Sequence, residues 1–293
     1  MPCYRPLTGY ESIEVNESGK RSIVFTHRDG YTDKMITVPC GACIGCRLDR
    51  AQKWALRCLH ESSLYEDNCF ITLTYDDDKI PKNYSLEVKD FQKFMKRLRK
   101  AYPEKTIRFF HCGEYGEQTH RPHYHACIFN FDFPDKKILP RDARKEPIYS
   151  SEILSSLWGK GHCSVGALTY NSASYVARYI LKKVTGQQAK NHYNGRKPEY
   201  ITMSRRPGIG HEWIKQNYKD IYPDDFVVLR GGQKFKAPKY YDTVYDEIDH
   251  KNLMLIKGRR EKQAKNNPDQ KNHRLYAREK VKIAQIQSLK REL

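Results

Sequence analysis

Strand-like and helical patterns of apolar residues succeed one another along this 293-residue chain, a mixture compatible with an α+β fold. Thr106 to Glu114 and His123 to Phe131 read as strands on either side of a polar loop, Tyr115 to Pro122, which is the pattern of an antiparallel hairpin. Around that hairpin lie segments with helical spacing of apolar residues, bounded by capping or breaking residues.

Residues 1–47 read as short strands and turns, with Ser22 to Thr26 and Met35 to Val38 on either side of Arg28-Asp29-Gly30. A helix is expected from Cys46 to Tyr65, since Leu48, Ala51, Ala55 and Leu59 recur at its spacing and Gly45 precedes it. Cys69 to Tyr75 alternates as a strand and runs into the loop Asp76-Asp77-Asp78. Ser85 is expected to cap a second helix, whose stripe Phe91, Phe94, Met95 and Leu98 stops before Pro103. Ser151 to Trp158 reads as a short helix ended by Gly159 and Gly161. Asn171 or Ser172 is expected to cap a third helix reaching about Val184.

After Gly186 the pattern weakens into Pro-, Gly- and Tyr-rich sequence. From Lys257 to Leu293 there are twelve Lys or Arg against four Asp or Glu, which predicts a basic helical tail beyond Pro268. That tail is either a solvated helix or a DNA contact. The expected organisation is a hairpin and cysteine element at 1–47, a core at 48–186, an accessory region packed on it at 187–256 and the tail at 257–293.

The formal charge of +18 suits a polyanionic partner such as nucleic acid, and 21 tyrosines among the basic residues can stack on unpaired bases. No apolar run has the length of a membrane span, and the start Met1-Pro2-Cys3-Tyr4-Arg5 lacks a signal peptide's apolar stretch. The expected location is therefore the cytoplasm. Nine cysteines then read as reduced thiols or metal ligands. Cys40, Cys43 and Cys46, with two residues between each and the next, can wrap one soft ion, with Cys3 as the expected fourth ligand and Cys58 as the alternative. Zinc is the expected ion.

His123 and His125 stand two apart in a strand and so project from one face. If Glu114 lies opposite His123 across the hairpin, its carboxylate joins them, and such a set leaves coordination positions open for a phosphate oxygen. His111 falls on the opposite face in this register, and His120 lies in the loop. In the third helix Tyr175 and Tyr179 are four residues apart and share a face, with Lys182 and Lys183 beside them on the helical wheel. Val176, Ala177, Ile180, Leu181 and Val184 form the stripe on the other side. Each feature alone is common in protein cores and surfaces. Their conjunction points to a hydroxyl attacking a phosphodiester with help from cations.

Tyr175-Val176-Ala177-Arg178-Tyr179-Ile180-Leu181-Lys182-Lys183, after Arg121-Pro122-His123-Tyr124-His125 and Cys112-Gly113-Glu114-Tyr115-Gly116, resembles the two-tyrosine HUH endonucleases of rolling-circle replication. Within these, the sequence resembles the replication initiators of gokushovirus-like microviruses. Phe70 to Tyr75 is similar to their first motif, Pro39 to Arg47 to their cysteine motif, and Ser204 to Gly210 to a downstream stretch. The residue between the histidines is Tyr124 where the family name implies a bulky hydrophobic one.

The resemblance implies an α+β fold, an antiparallel sheet of about five strands flanked by helices, with the histidines on a central strand and the tyrosines on a neighbouring helix. It also implies Mg²⁺ or Mn²⁺ held by Glu114, His123 and His125, attack by Tyr175 or Tyr179, a 5′-phosphotyrosine with a free 3′-hydroxyl, and religation to a circle. Arg121, Arg178, Arg205 and Arg206 are the expected DNA contacts. The expected partners are single-stranded phage origin DNA and the host's replicative helicase and polymerase, met by a monomer in the bacterial cytoplasm. No Walker-type Gly-x-x-x-x-Gly-Lys is present, in keeping with chemistry that needs no nucleotide. The competing readings are a single-stranded DNA-binding protein without catalysis and an HUH relaxase or transposase.

Overall fold

The computed structural model describes residues 3–140, 147–178, 184, 186–229 and 231–288. Two compact units emerge, one formed by Met1–Arg50 with Arg259–Leu293 and the other by Ala51–Gly258. In the first, β1 (Leu7–Val15), β2 (Arg21–Val24) and β3 (Gly30–Val38) form an antiparallel sheet in the order β2-β1-β3. Helix α1 (Ile44–Ser62) begins in that unit and continues into the second. It starts at Ile44, so Gly45 lies within it and not before it.

The second unit is built on β4 (Asn68–Thr74), β5 (Arg108–Tyr115), β6 (Pro122–Phe129), β7 (Lys137–Ile138), β8 (Ile148–Ser150), β9 (Cys163–Gly166) and β10 (Tyr200–Met203). They form one antiparallel sheet in the order β10-β5-β6-β4-β9-β8-β7. Seven strands replace the expected five or so. β7 and β8 are two and three residues long, too short for any periodicity to register, and pair only with each other and with β9. β10 comes from beyond Gly186, where the sequence pattern is weak.

Period-two alternation gives this sheet two apolar faces. Ile71, Leu73, Tyr124, Ala126, Ile128 and Val165 pack with α2 (Val88–Ala101) and α3 (Glu152–Trp158). On the other face Phe70, Phe110, Cys112, Cys127 and Phe129 meet α1, through Ala51, Ala55 and Cys58, and α4 (Tyr170–Arg178), through Ala173, Val176 and Ala177. Small residues on both helices let them approach closely. The chain continues through α5 (Gln188–Tyr193), α6 (His211–Ile221), the ribbon β11 (Phe226–Val228) and β12 (Lys234–Lys236), and α7 (Lys239–Ile248) to α8 (His250–Lys265). Leu56 of α1 shares a third core with Ile214, Tyr222, Tyr241, Val244 and Leu253. After α8 comes α9 (Asn272–Ser288), a helix beyond Pro268 as expected.

Capping differs from expectation at two helices. Glu87, not Ser85, caps α2, its carboxylate accepting from the Lys89 N–H, while Ser85 accepts from the Lys197 N–H. At α4 the Thr169 hydroxyl accepts from the Ser172 N–H and the Ser172 hydroxyl accepts from the Thr169 N–H, a reciprocal cap that starts the helix earlier than Asn171 or Ser172 would. Val184 is not helical and gives its N–H to the Tyr193 hydroxyl.

Two buried polar networks fix the frame. Tyr124, between the two histidines, is fully buried on the α2 face, where its hydroxyl accepts the Glu87 N–H at 2.9 Å and lies 2.8 Å from the Tyr75 hydroxyl. Tyr75 in turn donates to Asp90 at 2.8 Å. On the α1 face Arg108 pairs with buried Glu61, which accepts the Gly210 N–H, and Arg108 also donates to the Pro207 carbonyl. The Arg57 guanidinium lies between the Trp54 and Tyr240 rings, 4.1 and 4.0 Å from their centroids, and its Nε donates to the Ile209 carbonyl. These bonds hold the Ser204 to Gly210 segment.

Gly113 pairs with Tyr200, and a methyl group there would lie 2.7 Å from the Tyr200 ring and 3.1 Å from Leu86. Gly113→Ala is expected to cost about 1–3 kcal/mol by overpacking, read as a lower denaturation midpoint with an unchanged slope in urea.

Candidate metal centre

β5 and β6 pair with Glu114 opposite His123, which meets the condition set by the sequence reading, and with Cys112 opposite His125. Glu114, His123 and His125 therefore share the sheet face that carries α1 and α4. Glu114 Oε1 lies 2.6 Å from His123 Nε2 and 3.0 Å from His125 Nε2, with the carboxylate almost fully buried. The three ligand atoms lie within 4.8 Å of one another.

The outer nitrogens decide what the inner ones can do. His123 Nδ1 is 3.1 Å from the Arg121 carbonyl, which only accepts, so Nδ1 carries a hydrogen; Nε2, facing Glu114, donates to that carboxylate while it also carries one and offers its lone pair to a cation once that proton is lost. His125 Nδ1 lies 3.0 Å from the Thr72 hydroxyl on β4, and Phe70 stacks on the His125 ring at 5.6 Å. Two imidazole nitrogens and one carboxylate oxygen fit a divalent cation that keeps open positions. Burial pushes the Glu114 carboxyl up, but hydrogen bonds from His123 and His125 outweigh it and hold the group below its usual 4.5.

Tyr175 of α4 is half-buried against this cluster. Its ring lies 5.0 Å from His125, edge-on at 90°, and 6.4 Å from Phe70. Tyr179, Lys182 and Lys183 lie outside the described residues. Among those described, His111 is excluded from the cluster: it points to the opposite face, stacks on Phe91 at 3.5 Å and bonds Thr202. His120 is an exposed turn residue with φ of 51°.

Residues 68–184, which include the triad and Tyr175, match the family described as replication-associated protein ORF2/G2P. The chain is 35% identical over 254 residues to replication-associated protein VP4 of Bdellovibrio phage phiMH2K, covering 84% of this chain and 77% of that protein. It is 36% identical over 242 residues to replication-associated protein ORF2 of Spiroplasma virus 4, covering 78% and 74% respectively. The chain belongs to this family of microvirus replication-associated proteins. Replication-associated protein ORF4 of Chlamydia phage 1 is 28% identical over 219 residues, covering 72% of this chain and 54% of that protein. No solved structure matches.

In this family member the four arginines expected to meet DNA are placed differently. Arg178 is exposed at the end of described α4, bonded to Ser174. Arg121 is paired at the surface with exposed Asp77 and bonded to the Tyr75 carbonyl, in an open pocket of about 540 Å³ also lined by Thr74, Asp76 and His162. Thr74 pairs with His123, so that pocket adjoins the centre. Arg205 and Arg206 are exposed on the clamped segment beside Phe109, about 17 Å along β5 from Glu114 at ~3.3 Å per residue. Sequence reasoning assigned no role to Thr72 or Phe70, although strand alternation places both on the histidine face.

The cysteine cluster forms as expected, with Cys3 as the fourth member. Cys3 Sγ lies 3.6 Å from Cys40 Sγ and 3.9 Å from Cys43 Sγ, and all four sulfurs, with that of Cys46, fall within 4.8 Å of one another. Amide N–H groups of Tyr4, Cys40 and Cys43 point at these sulfurs. Burial raises the Cys43 thiol, but backbone donors from Cys46 and Tyr4 outweigh it and bring the group down to about 7. The arrangement can bind a metal. Cys58, the alternative fourth ligand, is instead buried with Cys127 in the sheet core. Among the described residues no helix is long and apolar enough to cross a membrane.

Thr72→Val removes the partner of His125 Nδ1 and is expected to weaken Mn²⁺ binding by about tenfold or more in a calorimetric titration, with little change in stability. In metal-free protein, Glu114's lowered pKa adds stability that is present above about 4.5 and lost as pH falls through the lower folded value. Glu114→Gln should therefore flatten the acid limb of a stability-against-pH curve.

Proposed function

We propose that this protein initiates phage rolling-circle replication by nicking single-stranded origin DNA through a tyrosine and later resealing the strand into a circle. The observation that carries this reading is the 5.0 Å approach of the Tyr175 ring to His125 within the Glu114, His123, His125 set. A phenol has an ordinary pKa near 10, so it attacks a phosphodiester only where the developing charge is offset. Mg²⁺ or Mn²⁺, held by those three residues, supplies Lewis-acid polarisation of the scissile phosphate when bound.

The chain's own residues do the rest. Tyr175 loses its proton to water and its oxygen bonds to phosphorus. The P–O3′ bond breaks and the 3′-oxygen takes up a proton, which leaves a 5′-phosphotyrosine and a free 3′-hydroxyl. Tyr179 is the other nucleophile, either tyrosine being able to take the first cut and its partner the regenerated origin, and Lys182 and Lys183 offset phosphate charge. The phosphotyrosine keeps the energy of the broken diester, so religation by a 3′-hydroxyl needs no nucleotide. Arg178, Arg121, Arg205 and Arg206 meet the DNA backbone, with the last two spaced along β5 from the cut. The setting is the cytoplasm of an infected bacterium, where a host helicase opens the duplex, a host polymerase extends the 3′-hydroxyl and this protein acts as a monomer.

We also assign Zn²⁺ to Cys3, Cys40, Cys43 and Cys46. Zn–S bonds of ~2.3 Å in a tetrahedron put sulfurs about 3.8 Å apart, which the 3.6 and 3.9 Å separations bracket. Purified protein is expected to hold one tightly bound equivalent of zinc, and less than half an equivalent would end the assignment.

An origin-bearing oligonucleotide incubated with protein and Mn²⁺ should give a covalent adduct on a denaturing gel, and Tyr175→Phe should abolish or redirect it. Binding with no adduct from the natural sequence would make the protein a DNA-binding module without chemistry. His123→Ala should slow cleavage by roughly 10²- to 10³-fold. Its DNA affinity should stay within about threefold, because Lys and Arg contacts to phosphate dominate binding. A parallel loss of affinity across a salt titration would contradict this.

A further inference from the structure

Residues 3–6 of the amino-terminal unit precede β1, whose first ladder pair is Leu7 with Val38. They take no part in the sheet. What fastens them is the thiol cluster: Cys40 gives its N–H to Cys3 Sγ at 3.2 Å, and Tyr4 gives its N–H to Cys43 Sγ at 3.3 Å. Tyr4 is buried, and Arg5 Nε donates to Glu279 of α9 at 3.0 Å. Glu279 is itself 7% exposed, and Leu275, one turn earlier, is 1% exposed.

Apart from those two, no residue of the seventeen in α9 is fully buried, and Tyr276, Val281 and Ile283 are exposed. A helix of that length is marginal in water without tertiary contacts. Glu279 of α9 is tied to the short amino-terminal segment through Arg5, and that segment in turn is hydrogen-bonded through the sulfurs of Cys3 and Cys43. Four neutral thiols would hold Cys3 only through weak S–H contacts, whereas a bound metal ties four thiolates at one point.

We propose that the four-cysteine site is a metal staple that docks α9, so that residues 3–46 and 272–288 form one zinc-dependent module for binding the DNA backbone. The proposal rests on the zinc assignment above and adds what the ion does. Nine Lys or Arg stand against three Asp or Glu between Arg259 and Lys282, a charge balance complementary to phosphate. Docking holds that charge in one place. Lys280, lying over the Tyr276 ring at 4.7 Å, and Lys282 belong to the same helix.

The test uses the full chain under reducing conditions. Zinc is stripped with a chelator, its release is followed with a chromogenic dye, and amide hydrogen exchange is compared for residues 272–288 and for the β5–β6 hairpin. Exchange in 272–288 should accelerate by at least about tenfold while the hairpin is unchanged, and Zn²⁺ alone should restore protection. The slope of log affinity against log salt for single-stranded DNA should shrink by about 0.7 for each phosphate that the undocked helix no longer neutralises. Arg5→Ala combined with Glu279→Ala should loosen 272–288 while zinc stays bound.

Zinc released with 272–288 still protected would overturn the staple and leave the zinc assignment standing. Equal acceleration in the hairpin would also overturn it, since the ion would then hold the whole fold. Failure of the protein to bind any Zn²⁺ would remove both, and an unchanged salt slope would remove the DNA role. None of these readouts depends on nicking, so they are separable from the fate of the endonuclease reading.

Discussion

The pairing register of β5 against β6 is the constraint from which the site follows. With Glu114 opposite His123, one carboxylate oxygen reaches both imidazoles. A slip of one residue would turn both histidines into the α2 core and Tyr124 onto the face that carries α1 and α4, so the apolar contacts on both faces oppose it. Burial of Tyr124, Ile128 and Phe129 thus fixes the position of groups that are themselves polar. The energy that orders the site comes largely from residues that never touch a ligand.

Tyr124 shows how this is done. Its hydroxyl sits in a buried network with Glu87 and Tyr75, and its backbone holds the two histidines on the opposite face. A leucine at this place would fill the space but could not make those bonds. The family resemblance calls for a bulky hydrophobic residue here; tyrosine meets that need and adds a directional anchor. Gly113 acts in the complementary way, since its missing side chain admits the Tyr200 ring and lets β10 pair along β5.

A buried carboxylate is costly unless it is compensated, and here the compensation is built from the same groups that can ligate a cation. Glu114 keeps its charge because the imidazoles lie against it. Their outer nitrogens are held by the Arg121 carbonyl and the Thr72 hydroxyl, which leaves the inner ones facing a common point. On α4, Ala173 and Ala177 bring the helix down onto the sheet, and this proximity carries the Tyr175 ring to His125. The amino-terminal unit is built on a different plan, with a three-stranded sheet of half-exposed apolar residues and a sulfur cluster in place of a large core.

Local rules determined much by themselves. Alternation in two adjacent segments is enough to predict the hairpin and the shared face of His123 and His125, because side-chain direction in a strand depends only on parity; Glu114 joins them only through the register that the structure supplies. The spacing of Cys40, Cys43 and Cys46 likewise predicts a cluster, since a short loop brings its own residues together. Other features were invisible at that level. Strand β10 pairs with β5 across more than eighty residues, β7 and β8 are too short to show a period, and the start of α4 was set by a reciprocal hydroxyl cap at Thr169. The approach of Tyr175 to His125, the support of His125 by Thr72 and the tie from Arg5 to Glu279 were decided only by tertiary structure. Each joins residues distant in sequence, whose meeting depends on how whole elements pack and not on the preferences of any one segment.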